Sequence, residues 1–224
     1  MSLKTKWRGI PTTQKRKNEN QAKTVINRFG QKSLSLPRID DKKRWAGFPG
    51  NTGISRKLIR YIPKCRFYVE PFAGTCKIFQ ALLMSEKHKV NNFVLNEKSD
   101  FINKWIKKEF DGMAIITKRD FMQCFKQWDS PNTFFLIDPP WFKSYYDQKF
   151  SCFDRESVKE YDIEVIKLCY LSKSDFIITT RKENQIMLNS GFNNYLIKSE
   201  YVVSGKKPEV LLTTNLILDG LKAV

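Results

Sequence analysis

From Lys43 onward the chain alternates short apolar runs with stretches of helical spacing, and this alternation narrows the folds open to it more than any other feature. Arg66-Phe67-Tyr68-Val69 is the first run, and it enters Glu70-Pro71-Phe72-Ala73-Gly74. Asn92 to Leu95, Met113 to Thr117, Thr133 to Ile137 and Asp175 to Thr180 follow. Lys77 to Met84, Asp100 to Phe110 and Arg155 to Leu171 read as helices between them. In the helix from Asp100, Phe101, Ile102, Trp105 and Ile106 share one face. Tyr195 to Val203 and Glu209 to Leu218 read as a closing antiparallel pair. Strands alternating with helices predict an α/β fold, a mostly parallel sheet with helices on both faces.

In such sheets ligands sit beyond the carboxyl ends of the strands. The polar motifs occupy those ends in order: Glu70 and Gly74 after the first, Glu97 after the second, Asp120 after the third, Asp138 after the fourth. That order predicts one site spread along the sheet edge. Its strongest part is Leu136-Ile137-Asp138-Pro139-Pro140-Trp141. Each proline fixes φ and removes an amide donor, so the carbonyls of Asp138 and Pro139 are left as acceptors. Acceptors suit a substrate amino group whose nitrogen must attack. The conjugated amino nitrogen of adenine is a poor nucleophile; hydrogen bonds to its hydrogens localise the lone pair and stabilise developing positive charge. Trp141 offers a flat face on which an extruded base stacks. The competing reading is a structural turn with a packed tryptophan.

Together these segments resemble the Dam-type (D12 class) DNA N6-adenine methyltransferases over about residues 42–218. Arg44-Trp45-Ala46-Gly47 is similar to the family's first motif, and Tyr68-Val69-Glu70-Pro71-Phe72-Ala73-Gly74 to its cofactor loop. Leu95-Asn96-Glu97 with Asp100-Phe101-Ile102-Asn103 resembles its ribose-binding turn, and Arg119-Asp120-Phe121 its adenine-contacting motif. Asp138-Pro139-Pro140-Trp141 resembles its catalytic tetrapeptide, which usually ends in Tyr or Phe, and Lys207-Pro208-Glu209-Val210-Leu211-Leu212 its closing strand.

The resemblance implies a Rossmann-like methyltransferase fold with a mostly parallel seven-stranded sheet and an antiparallel last strand. It implies S-adenosyl-L-methionine as cofactor and site-specific methylation of adenine N6 in DNA. It makes Asp138, Pro139, Pro140 and Trp141 catalytic. It assigns the cofactor to Trp45, Ala46, Gly47, Glu70, Pro71, Phe72, Ala73, Gly74, Glu97, Asp120 and Phe121. Within that set, Gly74 lets the backbone approach the cofactor closely. Glu97 accepts from the ribose hydroxyls, as an acid at the end of a second strand does in dinucleotide folds. Asp120 accepts from the cofactor's adenine amino group, and Phe121 packs on its ring. As lone residues, Glu97 reads as a solvated acid, Asp120 as a loop acid, and Trp45 and Phe121 as core aromatics.

Besides Trp141, the chain departs from the family in three places. Cys76 stands where a second glycine is usual. The first motif continues as Phe48-Pro49-Gly50-Asn51-Thr52-Gly53 instead of into a Gly-Lys pair. Only some 40 positions separate Glu97 from Asp138, too few for the family's target-recognition domain. Target recognition then falls to the amino-terminal arm, to the loop from Phe142 to Phe153, or to a protein partner. In that loop Tyr145, Tyr146 and Lys149 have the mixture of aromatics and cations that suits an unpaired strand, though the loop also reads as one folded over the core. Lys206 and Lys207, at the tip of the last hairpin, are candidates for phosphate contact or for an ordinary solvated turn.

A net charge of +17 over 224 residues points to a polyanion as partner, DNA ahead of RNA, with a lysine-rich solvated surface as the alternative. Residues 1–43 carry Lys4, Lys6, Arg8, Lys15, Arg16, Lys17, Lys23, Arg28 and Lys32 with sparse apolar residues, and read as a flexible basic arm before a methyltransferase domain at 44–224. No apolar run nears the roughly 18–20 residues that span a bilayer, and Met1-Ser2-Leu3-Lys4-Thr5-Lys6 lacks the apolar core expected of a signal peptide. Cys65, Cys76, Cys124, Cys152 and Cys169 are scattered and His88 is the lone histidine, so neither a metal site nor a disulfide scaffold is expected. A cytoplasmic or nucleoid-associated setting, in a cell or for a phage-encoded chain, agrees with reduced thiols. Two other functions stay open on the sequence: methylation of RNA adenine N6 or of cytosine N4, and a non-catalytic, methyltransferase-like protein that binds nucleic acid or scaffolds a complex.

Overall fold

The computed structural model describes residues 24–26, 32–34, 53–85, 88–139, 155–199 and 207–224. The chain divides into two units, residues 1–49 and 50–224. In the first, β1 (Thr24–Ile26) and β2 (Lys32–Leu34) pair antiparallel, Thr24 opposite Leu34. The second unit opens with α1 (Ser55–Leu58), which runs into a 3-10 turn at Ile59–Tyr61. Then come β3 (Cys65–Glu70), α2 (Lys77–Leu83), β4 (Val90–Asn96), α3 (Asp100–Phe110), β5 (Ile115–Thr117) and α4 (Phe121–Trp128). The chain continues through β6 (Thr133–Ile137), α5 (Arg155–Leu171), β7 (Asp175–Arg181), α6 (Gln185–Leu188), β8 (Asn193–Lys198), β9 (Glu209–Thr214) and β10 (Lys222–Ala223).

The sheet order is β10-β8-β9-β7-β6-β3-β4-β5. β5, β4, β3, β6 and β7 are mutually parallel, whereas β9 lies antiparallel between β7 and β8. This is the expected Rossmann-like sheet, with β10 added as an eighth strand against β8. Two residues are too few to carry a period, which is why β10 escapes a reading of the sequence. The chain winds outward through β3, β4 and β5, then returns to place β6 on the other side of β3. The direction of winding therefore reverses between β3 and β6, the point at which open α/β sheets bind ligands.

Side-chain alternation along the strands builds two apolar layers. Val69, Val94, Phe135, Ile137, Phe176 and Ile178 pack against Phe121, Cys124 and Phe125 of α4, Val165 and Cys169 of α5, and Met187 of α6. On the other face Tyr68 meets Phe93 and Phe134, and Phe79 of α2 meets Phe93 and, edge to face, Phe110 of α3. All of β6 is buried, as a central parallel strand requires, and each fully buried Phe or Ile contributes about 1.5–3 kcal/mol.

The structure corrects three local expectations. On α3 the buried stripe is Ile102, Asn103, Ile106 and Phe110, while Phe101 is 62% exposed. Phe110 anchors the stripe on α2 and turns Phe101 outward. The third strand shrinks to Ile115–Thr117, because as an edge strand it pairs only with β4. The closing pair starts at Asn193 and ends at Thr214, and its second strand inserts beside β7.

Candidate active site

Because the sheet order is β5-β4-β3-β6, the ends of consecutive strands set Asp120, Glu97, the Glu70–Gly74 loop and Asp138 side by side along one edge. Glu97 is buried just past β4. Its Oε2 accepts the Gly74 N–H at 3.0 Å and its Oε1 the Ser99 N–H at 2.9 Å. Burial raises its pKa, and those amide hydrogen bonds oppose the rise. The carboxylate thus joins the β3 turn to the β4 turn directly. Gly74 sits at φ 50 and Cys76 at φ 55, the left-handed region where a Cβ is unfavourable. Cys76 adopts it at the N-terminus of α2 with its thiol fully buried. Burial raises that thiol's pKa well above the ordinary range, with Glu70 and Glu97 adding to the rise.

Glu70 lies deeper than its motif implies. Its Oε1 accepts from Tyr68 Oη at 2.6 Å and from the Phe79 N–H at 3.0 Å, so it ties β3 to the first turn of α2. Desolvation pushes its pKa to about 8; the two hydrogen bonds work against that, and the nearby Asp138 adds to it. Asp120 caps α4, its Oδ1 accepting the Met122 N–H at 3.0 Å and its Oδ2 facing Lys98 Nζ at 3.3 Å. Phe121 is buried, stacks on Phe72 at 5.2 Å and packs against Tyr161 of α5 at 5.1 Å. Asp138 is half-buried at the end of β6, and its Oδ1 accepts the hydroxyl of Thr179 on β7 at 2.6 Å. Pro71 lends its carbonyl to Asn96, Ala73 donates its amide to the Asn96 carbonyl, and Pro139 is buried. Lys207 is exposed just before β9. Trp45, Ala46, Gly47, Pro140, Trp141, Tyr145, Tyr146, Lys149 and Lys206 lie outside the described residues, as does most of the basic arm.

Three residues of this edge escape a reading of the sequence for site chemistry. Asn96, the last residue of β4, and Asn103, in α3, are buried and hold neighbouring turns by their side chains. The motif names them, but an asparagine at a strand end signals only a turn. Thr179 shows no sign in the sequence beyond its strand, and its role comes from register: Ile178 of β7 pairs with Ile137 of β6, which sets Thr179 beside Asp138.

The arrangement suits S-adenosylmethionine by the chemistry of its donors and acceptors. Each Glu97 oxygen spends one lone pair on a backbone amide and keeps capacity for a ribose hydroxyl. The Thr75 hydroxyl, in the loop between Gly74 and Cys76, is buried without a hydrogen-bond partner, a capacity that a polar ligand seated on this loop would satisfy.

The family model for D12 class N6 adenine-specific DNA methyltransferases matches residues 49–210. The chain belongs to this family. The match spans every one of the four strand ends, from Glu70 through Asp138, and reaches into β9. Among curated proteins none matches the chain. Among solved structures, the N-terminal domain of human METTL16 is 13% identical, covering 97% of this chain and 98% of that one at a TM-score of 0.49. A conserved hypothetical protein of Streptococcus pyogenes is 12% identical, covering 75% and 96% at 0.47. A SAM-dependent methyltransferase of Leishmania major is 16% identical, covering 71% and 69% at 0.45. The assignment rests on the family match and not on these likenesses. As a D12 family member the chain is a methyltransferase, and among its described residues no helix is long and apolar enough to cross a membrane.

Proposed function

We propose that the protein transfers the methyl group of S-adenosylmethionine to the exocyclic amino nitrogen of a nucleic-acid base, adenine N6 in DNA foremost. The observation that carries this reading is the D12 match over residues whose strand ends line up as Asp120, Glu97, Gly74 and Asp138 on one sheet edge. The cofactor supplies an electrophilic methyl group on a sulfonium. Glu97 orients the ribose, Gly74 and its neighbours Pro71, Phe72 and Ala73 give close backbone approach, and Asp120 with Phe121 addresses the adenine ring. Trp45, Ala46 and Gly47 are assigned to cofactor binding by their resemblance to the family's first motif. Glu70 holds the loop in shape from beneath. Asp138, fixed by Thr179, and the Pro139 carbonyl accept from the target amino group, with Pro140 stiffening the turn and Trp141 stacking on the base. No base of shifted pKa is required, because the proton leaves after the nitrogen has bonded. Holding nitrogen, carbon and sulfur in line is the main contribution.

In this reading the basic residues of 1–43 bind nucleic acid, and so, within the second unit, do Tyr145, Tyr146, Lys149, Lys206 and Lys207. A protein partner is the further source of target choice. A second reading is favoured by one feature: the interval from β4 to β6 is taken up by α3, β5 and α4, leaving no separate recognition module there. Single-stranded RNA, recognised by stacking on aromatics, fits such an enzyme.

Calorimetry with S-adenosylmethionine and transfer of a labelled methyl group to duplex DNA and to single-stranded RNA test both readings. The expected outcome is micromolar binding by the wild type, lost in Gly74→Trp and kept in Asp138→Ala. Methylation should fall by about a hundredfold or more in Asp138→Ala. Absence of binding at millimolar cofactor would overturn the enzyme reading for the isolated chain and leave a scaffold, or a subunit completed by a partner. Activity on RNA alone would select the second substrate.

A further inference from the structure

Four of the five hydrogen bonds that join the β3, β4 and β5 turns through one residue come from a single amide side chain. Asn96, the last residue of β4, is 1% exposed. Its Nδ2 donates to the Pro71 carbonyl at 2.9 Å, in the turn after β3, and to the Arg119 carbonyl at 3.0 Å, in the turn after β5. Its Oδ1 accepts from Thr117 Oγ1 at 2.7 Å and from the Arg119 N–H at 2.9 Å. Its own carbonyl accepts the Ala73 N–H at 2.9 Å. Two donors and two acceptor positions are the full capacity of a carboxamide, and all are used. Pro71 and Ala73 flank Phe72 in the cofactor loop, Arg119 precedes Asp120, and Glu97 is the next residue along.

We infer that Asn96 is the positioning residue of the cofactor site: it fixes the Gly74 loop, the Glu97 turn and the Asp120 turn as one rigid unit before any ligand arrives. The inference rests on the functional reading above. The physical case is pre-organisation. Three loops on three strands must present their groups with sub-ångström accuracy, and each loop would wander unless tied. The paired ladder ends at Glu70, Asn96 and Thr117; past it, backbone bonds such as Ala73 N–H to the Asn96 carbonyl at 2.9 Å and Glu97 N–H to the Thr117 carbonyl at 3.1 Å join the turns only two at a time. Asn103 reinforces the tie, its Nδ2 donating to the carbonyls of Glu97 and Thr117 at 3.1 and 2.7 Å.

A buried asparagine of similar structural weight supplies the control. Asn194, in β8, donates to the carbonyls of Met187, Leu188 and Phe192 and accepts from Thr213, away from the β3, β4 and β5 turns. Asn96→Ala and Asn194→Ala in the full chain should lower the Tm comparably. Only Asn96→Ala should weaken S-adenosylmethionine binding, by about tenfold or more in calorimetry. Only Asn96→Ala should speed hydrogen exchange at the Ala73, Gly74 and Arg119 amides. Thr117→Val, which removes a single hydrogen bond to Asn96, should weaken binding by about two- to threefold and serves if Asn96→Ala does not fold. Equal losses of Tm with unchanged cofactor affinity in Asn96→Ala, or in Thr117→Val where that is the folded variant, would overturn the inference. If the wild type itself fails to bind cofactor, the functional reading falls first. The tie is then judged by exchange alone, and protection at Ala73 and Arg119 as in Asn194→Ala would refute it.

Discussion

Glu70 stands in a motif that reads as cofactor-facing, yet its carboxyl group is buried and neutral-leaning, with a pKa of about 8 set first by desolvation. In the unfolded chain a glutamate titrates near 4.5. The folded form therefore holds its proton across a window in which the unfolded form has lost it, and stability drains away as pH rises from about 4.5 to about 8. Glu70→Gln removes that drain. The amide oxygen still accepts from Tyr68 and Phe79, the two donors that meet Oε1. The variant should match the wild type near pH 4.5 and gain on it by up to about 1.4 kcal/mol per pH unit toward pH 8. Asp162, pushed to about 6 by burial, titrates alike in both chains and drops out of the difference. Urea unfolding of both proteins at pH 5 and pH 8 checks this, and a pH-independent difference would mean that Glu70 is ionised in the fold. Two-residue spacing puts Tyr68 and Glu70 on one face of the strand, but neither their hydrogen bond nor the depth at which the pair lies is legible in the sequence, because both depend on α2 closing over them.

At the level of elements, the sequence shows long strands and long helices clearly and short ones poorly. β6 and α5 take the bounds that their apolar pattern predicts, Thr133–Ile137 and Arg155–Leu171. α1, α6 and β10 span four, four and two residues, about one period of the pattern each would show, too short for any repeat to be seen. α4 hides behind a motif: Arg119-Asp120-Phe121 reads as cofactor chemistry, and the same Asp120 is the N-cap that starts the helix. The two roles separate experimentally. Asp120→Ala should cost about 1 kcal/mol in chemical denaturation by exposing the Met122 amide, whereas Asp120→Asn, which keeps a capping oxygen, should cost a few tenths. If Asp120 also meets the cofactor's adenine, Asp120→Ala should weaken S-adenosylmethionine binding by more than its loss of stability accounts for. Equal stability of the two variants would mean that the cap is carried by the ion pair with Lys98 and not by the Oδ1 hydrogen bond. The candidate site is legible as a series of strand ends because the topology of alternating strands and helices orders them. Which ends touch is not legible, since Gly74 reaching Glu97 and Thr179 reaching Asp138 depend on register between strands far apart in sequence.

Over the whole molecule, charge is the feature that packing does not explain. Residues 1–43 hold 12 lysines and arginines against three acids, so this fifth of the chain supplies about half of the net +17. The family match begins only at residue 49, which leaves that charge outside the part whose fold is shared with other methyltransferases. If the arm tracks a nucleic-acid backbone, each phosphate it meets releases condensed counterions, and affinity must fall steeply with salt. Lys15, Arg16 and Lys17 are adjacent and offer a compact place to test this in the full-length chain. Changing all three to glutamine should leave S-adenosylmethionine binding and Tm unaltered. It should weaken duplex binding about equally for every sequence, because the phosphate backbone carries no base information. The slope of log affinity against log salt should become shallower by up to about 0.9 for each phosphate the arm no longer neutralises. An unchanged slope would make the arm a solvating segment and would move the search for the nucleic-acid surface to Lys207 and the rest of the strand-end edge. A reduced slope with unchanged sequence preference would divide the labour of the molecule: the arm supplies attraction, and discrimination among bases resides with the edge that carries Asp138.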